Sequence, residues 1–267
     1  MNIIRIETPD DPRTEPFRDI RERDLTGREG LFIAEGEVVL RQLLSDASRC
    51  RPRAILLAEN RVEGLADALA LLPPGPPVYV APQPVLDGIA GFHLHRGILA
   101  LGEKPAGTAL PEALAGLPER ALVVLACGIG NHDNIGGVFR NAAAFGVAAV
   151  LLDRQCCDPF YRKAIRVSVG AVLRTPMVVG LDPAATVDAL KAAGFAVLAM
   201  SPSADLTLDA VPPAARVAVV LGAEGPGLAP EIIARCTPVG IRMSGGFDSL
   251  NVGTAGAIAL HHFANRV

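Results

Sequence analysis

The chain has 267 residues, half of them hydrophobic, and a formal net charge of −3 at pH 7. That composition supports a large packed core and excludes wholesale disorder, while the length suits a smaller module joined to a larger one. No apolar run reaches the roughly 18 residues a membrane span needs, and MNIIRIETPDDPR meets acidic residues and proline too soon for a signal peptide, so no membrane contact and a cytoplasmic location are expected.

Between residues 17 and 102 the pattern runs helix (EVVLRQLLSDA), strand (RAILLAE), helix (VEGLADALALL), strand (PVYVA), short helix and strand (RGILALGEK), a compact α/β module assigned to residues 15–103. Residues 104–120, KPAGTALPEALAGLPER, carry three prolines and no sustained strand alternation, and they read as a linker. From 121 to 267 the apolar strand candidates are ALVVLA (121–126), VAAVLLD (147–153), AVLRTPMVV (171–179), FAVLAM (195–200) and RVAVVLG (216–222). Helical stretches such as IGGVFRNAAAF and PAATVDALKAA separate most of them, and a last helix starts near Ser249. Short continuous apolar strands alternating with helices predict a mostly parallel sheet with helices on both faces, and in such sheets ligands sit at the carboxyl ends of the strands.

Three loops at that edge hold the polar chemistry. The first, after residues 121–126, spaces Asn134, Gly136 and Arg140; with Asn134 capping a helix, Arg140 stands roughly 9 Å further along the axis at 1.5 Å per residue. The dinucleotide pattern fails there, because Gly128-x-Gly130 is followed by Asp133 where the third glycine belongs. The second loop, LGAEGPGL (221–228), has no Lys-Ser/Thr after it and carries Glu224, whose carboxylate repels phosphate but tolerates a neutral adenosine or a cationic sulfonium. The third, IRMSGGFDSLNVGTAGAIAL, runs through two glycines to cap candidates Asp248 and Ser249 and then a helix rich in small residues.

Taken in order, these loops resemble the SpoU (TrmH) family of the SPOUT RNA methyltransferases. The likeness is carried by Asn134, Gly136, Arg140, Asn141-Ala142 and Phe145-Gly146, then by Leu221, Gly222, Glu224, Gly227 and Leu228, then by Met243, Gly245, Ser249, Leu250, Asn251 and Val252. RKAIRVSVGAVLRTP, with Arg166, Ser168 and Gly170, looks like the family's linking segment, while FIAEGEVVLRQLL and RGILALGEKP look like the ends of the substrate-binding domain many members carry. Arg242 stands where the family usually has proline, and Gly253 where it often has serine.

The resemblance implies a trefoil knot in residues 121–267, an N-terminal domain similar to a ribosomal-protein RNA-binding fold, a homodimer through the C-terminal domain, and methyl transfer from S-adenosylmethionine to a ribose 2′-hydroxyl. It assigns Leu221, Gly222, Ala223, Glu224, Gly225, Ile241, Met243 and Leu250 to the cofactor, and Arg140, Asn134, Ser249 and Asn251 to catalysis and ribose positioning. A guanidinium is a poor base, so Arg140 is read as gripping the neighbouring phosphate and stabilising charge on the 2′-oxygen. Ribosomal RNA is favoured over transfer RNA because of the added N-terminal domain. A catalytically silent RNA-binding protein of the same fold is the alternative.

Without a global basic excess, RNA contact must come from a local patch. FYRKAIR, with Arg162, Lys163 and Arg166, is the first candidate and RCRPR, with Arg49, Arg51 and Arg53, the second; 22 of the 25 basic residues are arginine, which suits bidentate phosphate contact. Five cysteines without C-x-x-C spacing point to reduced thiols, and the pairs His93/His95 and His261/His262 lack ligands at metal spacing, so no metal is expected.

Overall fold

The computed structural model describes residues 2–18, 30–245 and 249–266, which form two compact units: Met1–Pro105 with Asp158–Arg174, and Ala106–Cys157 with Thr175–Val267. Up to residue 105 the elements are β1 (Ile3–Arg5), β2 (Leu31–Glu35), α1 (Glu37–Leu44), β3 (Arg51–Ala58), α2 (Ala66–Leu69), β4 (Val78–Ala81), α3 (Gln83–Ala90) and β5 (Ile98–Glu103). Next come α4 (Leu110–Ala115), β6 (Ala121–Ala126), α5 (His132–Ala144), β7 (Ala149–Asp153), α6 (Arg162–Val167) and β8 (Met177–Leu181). The chain ends with α7 (Pro183–Ala192), β9 (Ala196–Met200), β10 (Arg216–Leu221), α8 (Pro230–Ile233), β11 (Thr237–Val239) and α9 (Val252–Ala264).

The first unit is a five-stranded mixed sheet in the order β1-β4-β3-β5-β2, with β5 antiparallel to β2 and β3. Alternating strand residues such as Ile33, Leu56 and Leu99 pack with Phe17, Leu86 and Ile89 in one core. On α1, Val39, Leu40, Leu43 and Leu44 are buried while Arg41 and Glu37 pair across one turn outside, at 2.9 Å. The helix expected over VEGLADALALL shrinks to the single turn α2 after 3-10 turns at Glu59–Arg61 and Glu63–Leu65. Gly64 and Pro73-Pro74 cut it short, although Leu65, Ala68 and Leu69 keep their places in the core.

Residues 158–174, placed by sequence within 121–267, pack with this first unit. The Phe160 ring lies 5.2 Å from that of Phe32, Lys104 reaches Asp158 at 2.6 Å, and the backbone of Arg49 donates to the Leu173 carbonyl at 2.9 Å. Val169 and Gly170, at φ 56° and 80°, make a left-handed turn against α1, where a Cβ on Gly170 would meet Gln42 Cβ at 2.9 Å. The strand expected over AVLRTPMVV is a 3-10 turn at Ala171–Leu173 followed by β8, because Pro176 has no N–H for a ladder.

The second unit is a six-stranded sheet, β11-β9-β10-β6-β7-β8, parallel at every pairing. On one face Val123, Leu125, Leu151, Val197 and Val220 pack against Leu114 of α4, Val187 and Leu190 of α7, and Ile232 of α8. The other face is covered by α5 and α9, which also pack on each other. Thus the stretch 104–120 is more than a linker: α4 puts Leu110 and Leu114 against the sheet one turn apart, and Leu117, just past its end, packs beside them. Leu114→Ala is expected to lower stability by about 2–3 kcal/mol, read as a fall in the thermal midpoint.

Candidate active site at the carboxyl edge of the second sheet

Parallel pairing brings every carboxyl end of the second sheet to one edge. There β6 and β10 are neighbours, with Ala126 opposite Leu221 and the Cys127 N–H donating to the Leu221 carbonyl at 2.8 Å, so the first two loops start side by side.

The first loop is held by Asp153 at the end of β7. Its buried carboxylate accepts the backbone N–H of Gly128, Gln155 and Cys156 at 2.9 to 3.0 Å. Asn131, not Asn134, caps α5, accepting the Asp133 N–H at 2.8 Å. The expected cap was three residues late; Asn134 lies buried within the first turn. Burial pushes the Cys127 thiol well up and the Cys156 thiol to about 12, so neither is ionised near neutral pH. All five cysteines are free.

The second loop closes on itself through the Gly227 N–H and the Ala223 carbonyl, 3.1 Å apart, with Gly225 and Gly227 at φ 84° and 71°. In the third, residues 246–248 and hence the cap candidate Asp248 lie outside the described residues. The cap of α9 is Asn251, not Ser249: its Oδ1 accepts the N–H of Gly253 at 2.9 Å and of Thr254 at 3.3 Å. The Asn251 Nδ2 donates both to Asn134 Oδ1 at 2.9 Å and to Glu224 Oε1 at 2.7 Å. One amide therefore joins the three loops. Nearby, Asn141 Nδ2 donates to the Gly253 carbonyl at 2.9 Å, pinning α5 to the first turn of α9.

Asn251→Asp would keep the cap, since aspartate caps as well as asparagine, but would set a carboxylate against Glu224. We expect a stability loss of about 1 kcal/mol that the added change Glu224→Gln, which restores a donor, recovers. Equal thermal midpoints for Asn251→Asp and the wild type would mean that this amide does not tie the loops.

Beside the bridge lies a cavity of 420 Å³. Leu221, Gly222, Ala223, Glu224, Gly225, Ile241, Met243, Ser249, Leu250 and Asn251 line it, and Asn134 stands behind Asn251. Met200, Ser201 and Pro202 also line it and were missed from sequence, though they follow an apolar strand in the same manner as the other loops. Glu224 is the one charged residue among the described lining residues. Arg140 is not in the lining: it is exposed on α5, six residues beyond Asn134.

In the first unit, Arg162 of α6 pairs with Glu35 and sits 5.3 Å over the Phe92 ring, whereas Lys163 and Arg166 face outward. Arg53 pairs with Glu103. Among the described residues no group of three His, Cys, Asp or Glu could hold a metal ion, and no helix is long and apolar enough to cross a membrane.

The family model of the SpoU rRNA Methylase family matches residues 121–261, the span that holds all three loops. This chain belongs to the SpoU rRNA Methylase family. A relative named an uncharacterized tRNA/rRNA methyltransferase, from Mycobacterium tuberculosis, is 40% identical over 98% of this chain and 91% of its own length. Among solved structures, a putative RNA methyltransferase of the TrmH family from Porphyromonas gingivalis superposes with a TM-score of 0.77 at 25% identity, covering 95% of this chain and 97% of that one. The SpoU methyltransferase AviRb from Streptomyces viridochromogenes, in complex with its cofactor AdoMet, shares the fold at a TM-score of 0.80 and 22% identity over 96% of this chain and 98% of that one. Two departures from the usual SpoU pattern have visible surroundings: Arg242 is exposed with Nη2 3.7 Å from Asp209, and a Cβ on Gly253 would stand 3.2 Å from the capping Asn251 Oδ1.

Proposed function

We propose that this chain transfers a methyl group from S-adenosylmethionine to a ribose 2′-hydroxyl of RNA, with ribosomal RNA as the substrate ahead of transfer RNA. The observation that carries the reading is the chemistry of the cavity: apolar walls, one carboxylate and no cation among the described lining residues. Such a lining does not suit a polyphosphate. It fits a neutral nucleoside carrying a positive sulfonium, because Glu224 attracts the positive charge and Leu221, Ile241, Met243 and Leu250 offer surface to an adenine.

Bound there, S-adenosylmethionine supplies an electrophilic methyl carbon on a positively charged sulfur. The chain's own task is to hold the 2′-oxygen in line with that carbon and to stabilise the charge it gains as its proton leaves. Arg140 takes the adjacent phosphate and that charge. Asn134 and Ser249 orient the ribose. Asn251, whose Nδ2 is committed to Asn134 and Glu224, is a positioning residue that holds the second loop in shape. In the first unit Lys163 and Arg166 are read as RNA contacts of their own, while Arg162 is engaged with Glu35. The same reading includes a trefoil knot within residues 121–267 and a homodimer through the second unit, which light scattering would weigh directly.

The test incubates the protein with methyl-labelled S-adenosylmethionine and, separately, unmodified ribosomal and transfer RNA, followed by alkaline digestion. Label in alkali-resistant dinucleotides from ribosomal RNA is the expected result. Label only in transfer RNA would change the substrate, and label in methylated mononucleotides would overturn the ribose target. Cofactor binding without transfer to either RNA would favour a silent RNA-binding protein.

A further inference from the structure

Resting on the reading of the chain as an RNA methyltransferase, we propose that Asp153, buried at the end of β7 and absent from the cavity lining, is a positioning residue for methyl transfer: its two carboxylate oxygens set the backbone of Gly128 and, through it, the start of α5 with Asn134. The sheet brings the two together. β7 lies beside β6 with Leu152 opposite Ala126, so Asp153 ends its strand level with Cys127 and one residue short of Gly128.

The Asp153 side chain does two separate things. Its Oδ1 accepts the N–H of Gln155 at 3.0 Å and of Cys156 at 2.9 Å, a local turn that aspartate and asparagine close equally well. The Gly128 N–H, by contrast, lies 3.0 Å from both Oδ1 and Oδ2. Only a carboxylate offers two acceptors there, since the amide of an asparagine whose Oδ1 stayed with Gln155 and Cys156 would turn a donor toward the Gly128 N–H. Asp153 is 6% exposed and has no ion-pair partner among the described residues, so three backbone N–H groups stand in place of a cation. A buried charge without a cation is costly to fold, and the turn alone does not require it. The contact to Gly128 does.

That contact fixes the first loop where it leaves the sheet. The Cys127 N–H goes to the Leu221 carbonyl of β10 at 2.8 Å, and the next N–H, on Gly128, goes to β7, so successive groups are tied to the strands on either side of β6. Gly128 takes φ 67°, and a Cβ on it would stand 3.6 Å from Ala223 Cβ, so the turn runs along the cavity wall. Ile129, 1% exposed, follows as a plug, and its carbonyl accepts the Cys157 N–H at 3.0 Å. Five residues on is Asn134, whose Oδ1 accepts the Asn251 Nδ2 at 2.9 Å. A shift at Gly128 therefore travels into the first turn of α5, and so to Asn134, which orients the ribose in the reading above. Ile241, Met243 and Leu250, which hold the cofactor in that reading, stand on the third loop and keep their places.

The test compares Asp153→Asn with the wild type in the full chain, with unmodified ribosomal RNA as methyl acceptor, or transfer RNA where that is the one the wild type labels. Asparagine keeps the contacts to Gln155 and Cys156 and loses the second oxygen at Gly128. The variant should fold, hold S-adenosylmethionine within about twofold of the wild type and keep its KM for the RNA, while kcat falls about tenfold. The contact itself is read from the Gly128 amide proton by nuclear magnetic resonance: a hydrogen bond to a carboxylate moves it downfield, and it should return upfield in Asp153→Asn. Asp153→Ala, which loses the turn as well, should add a lower thermal midpoint to the same fall in kcat. A wild-type kcat in Asp153→Asn with the Gly128 proton displaced would overturn the positioning role. So would an unmoved Gly128 proton, or a loss of S-adenosylmethionine affinity in proportion to kcat, the mark of a general loosening. All three leave the methyltransferase standing; a wild type that labels neither RNA removes the reaction and the role of Asp153 together.

Discussion

Arg140→Ala is expected to reduce methyl transfer by a factor of about 10³ or more while S-adenosylmethionine binds as it does to the wild type. The separation follows from where Arg140 sits. It is exposed on α5 and absent from the cavity lining, so its loss removes no wall of that cavity. The buried face of α5, Ile135, Val138, Phe139 and Ala142, stays intact, as does the hydrogen bond from Asn141 to Gly253. Stability should therefore change by no more than about 0.5 kcal/mol, the usual range for a surface substitution. Arg140→Lys keeps the charge but not the planar fork, and should retain partial activity with a raised KM for RNA. Single-turnover rates with bound RNA, set beside cofactor titrations, make the measurement. Normal turnover in Arg140→Ala would remove this residue from the reaction, and a fall in cofactor affinity would move it to the cofactor's side of the site.

The second sheet was legible because its strands are buried on both faces and read as unbroken apolar runs; β6, β7, β9 and β10 all fall within the predicted segments. β1 and β11, three residues each, are too short for any pattern, and LFIAE of β2 is apolar without alternation. The second- and third-loop residues that line the cavity were named through the resemblance, whereas Met200, Ser201 and Pro202, at the end of β9 on the same edge, were not named. The caps were misplaced for a local reason. Asn131 and Asn134 both satisfy the N-cap preference, as do Ser249 and Asn251, and propensity alone cannot choose between candidates one turn or less apart. What the Asn134 and Asn251 side chains do instead, one bridging to the other across 117 positions of chain, has no sequence period at all. The return of residues 158–174 to the first unit is equally silent, because Phe160 against Phe32 and Leu173 against Arg49 are long-range contacts.

Gly222→Ala should abolish measurable cofactor binding and cost about 2–3 kcal/mol of stability, a larger effect than at any other glycine of the second loop. A Cβ there would fall 2.5 Å from both the Gly227 carbonyl carbon and the Leu228 nitrogen. Those are backbone atoms, with no flexible side chain to turn aside. Retreat is closed on the other sides as well: the Ala223 carbonyl already holds the Gly227 N–H, Glu224 is held by Asn251, and Leu221 lies 3.0 Å from the point a Cβ on Gly256 of α9 would occupy. Gly225 separates sterics from backbone strain. Nothing lies within 4 Å of a Cβ at that position, but φ is 84°, so Gly225→Ala should cost about 1 kcal/mol and leave the loop's path intact. Gly137, inside α5 with open space and no positive φ, is the opposite case; Gly137→Ala should stabilise the chain by about 0.5–1 kcal/mol. Thermal midpoints order the three variants, and calorimetric titration with S-adenosylmethionine reads the site. If Gly222→Ala lost stability yet bound the cofactor normally, the loop that closes so tightly would be a structural turn, and the cofactor's adenosine would have to rest on the Met200–Pro202 and Ile241–Met243 walls instead.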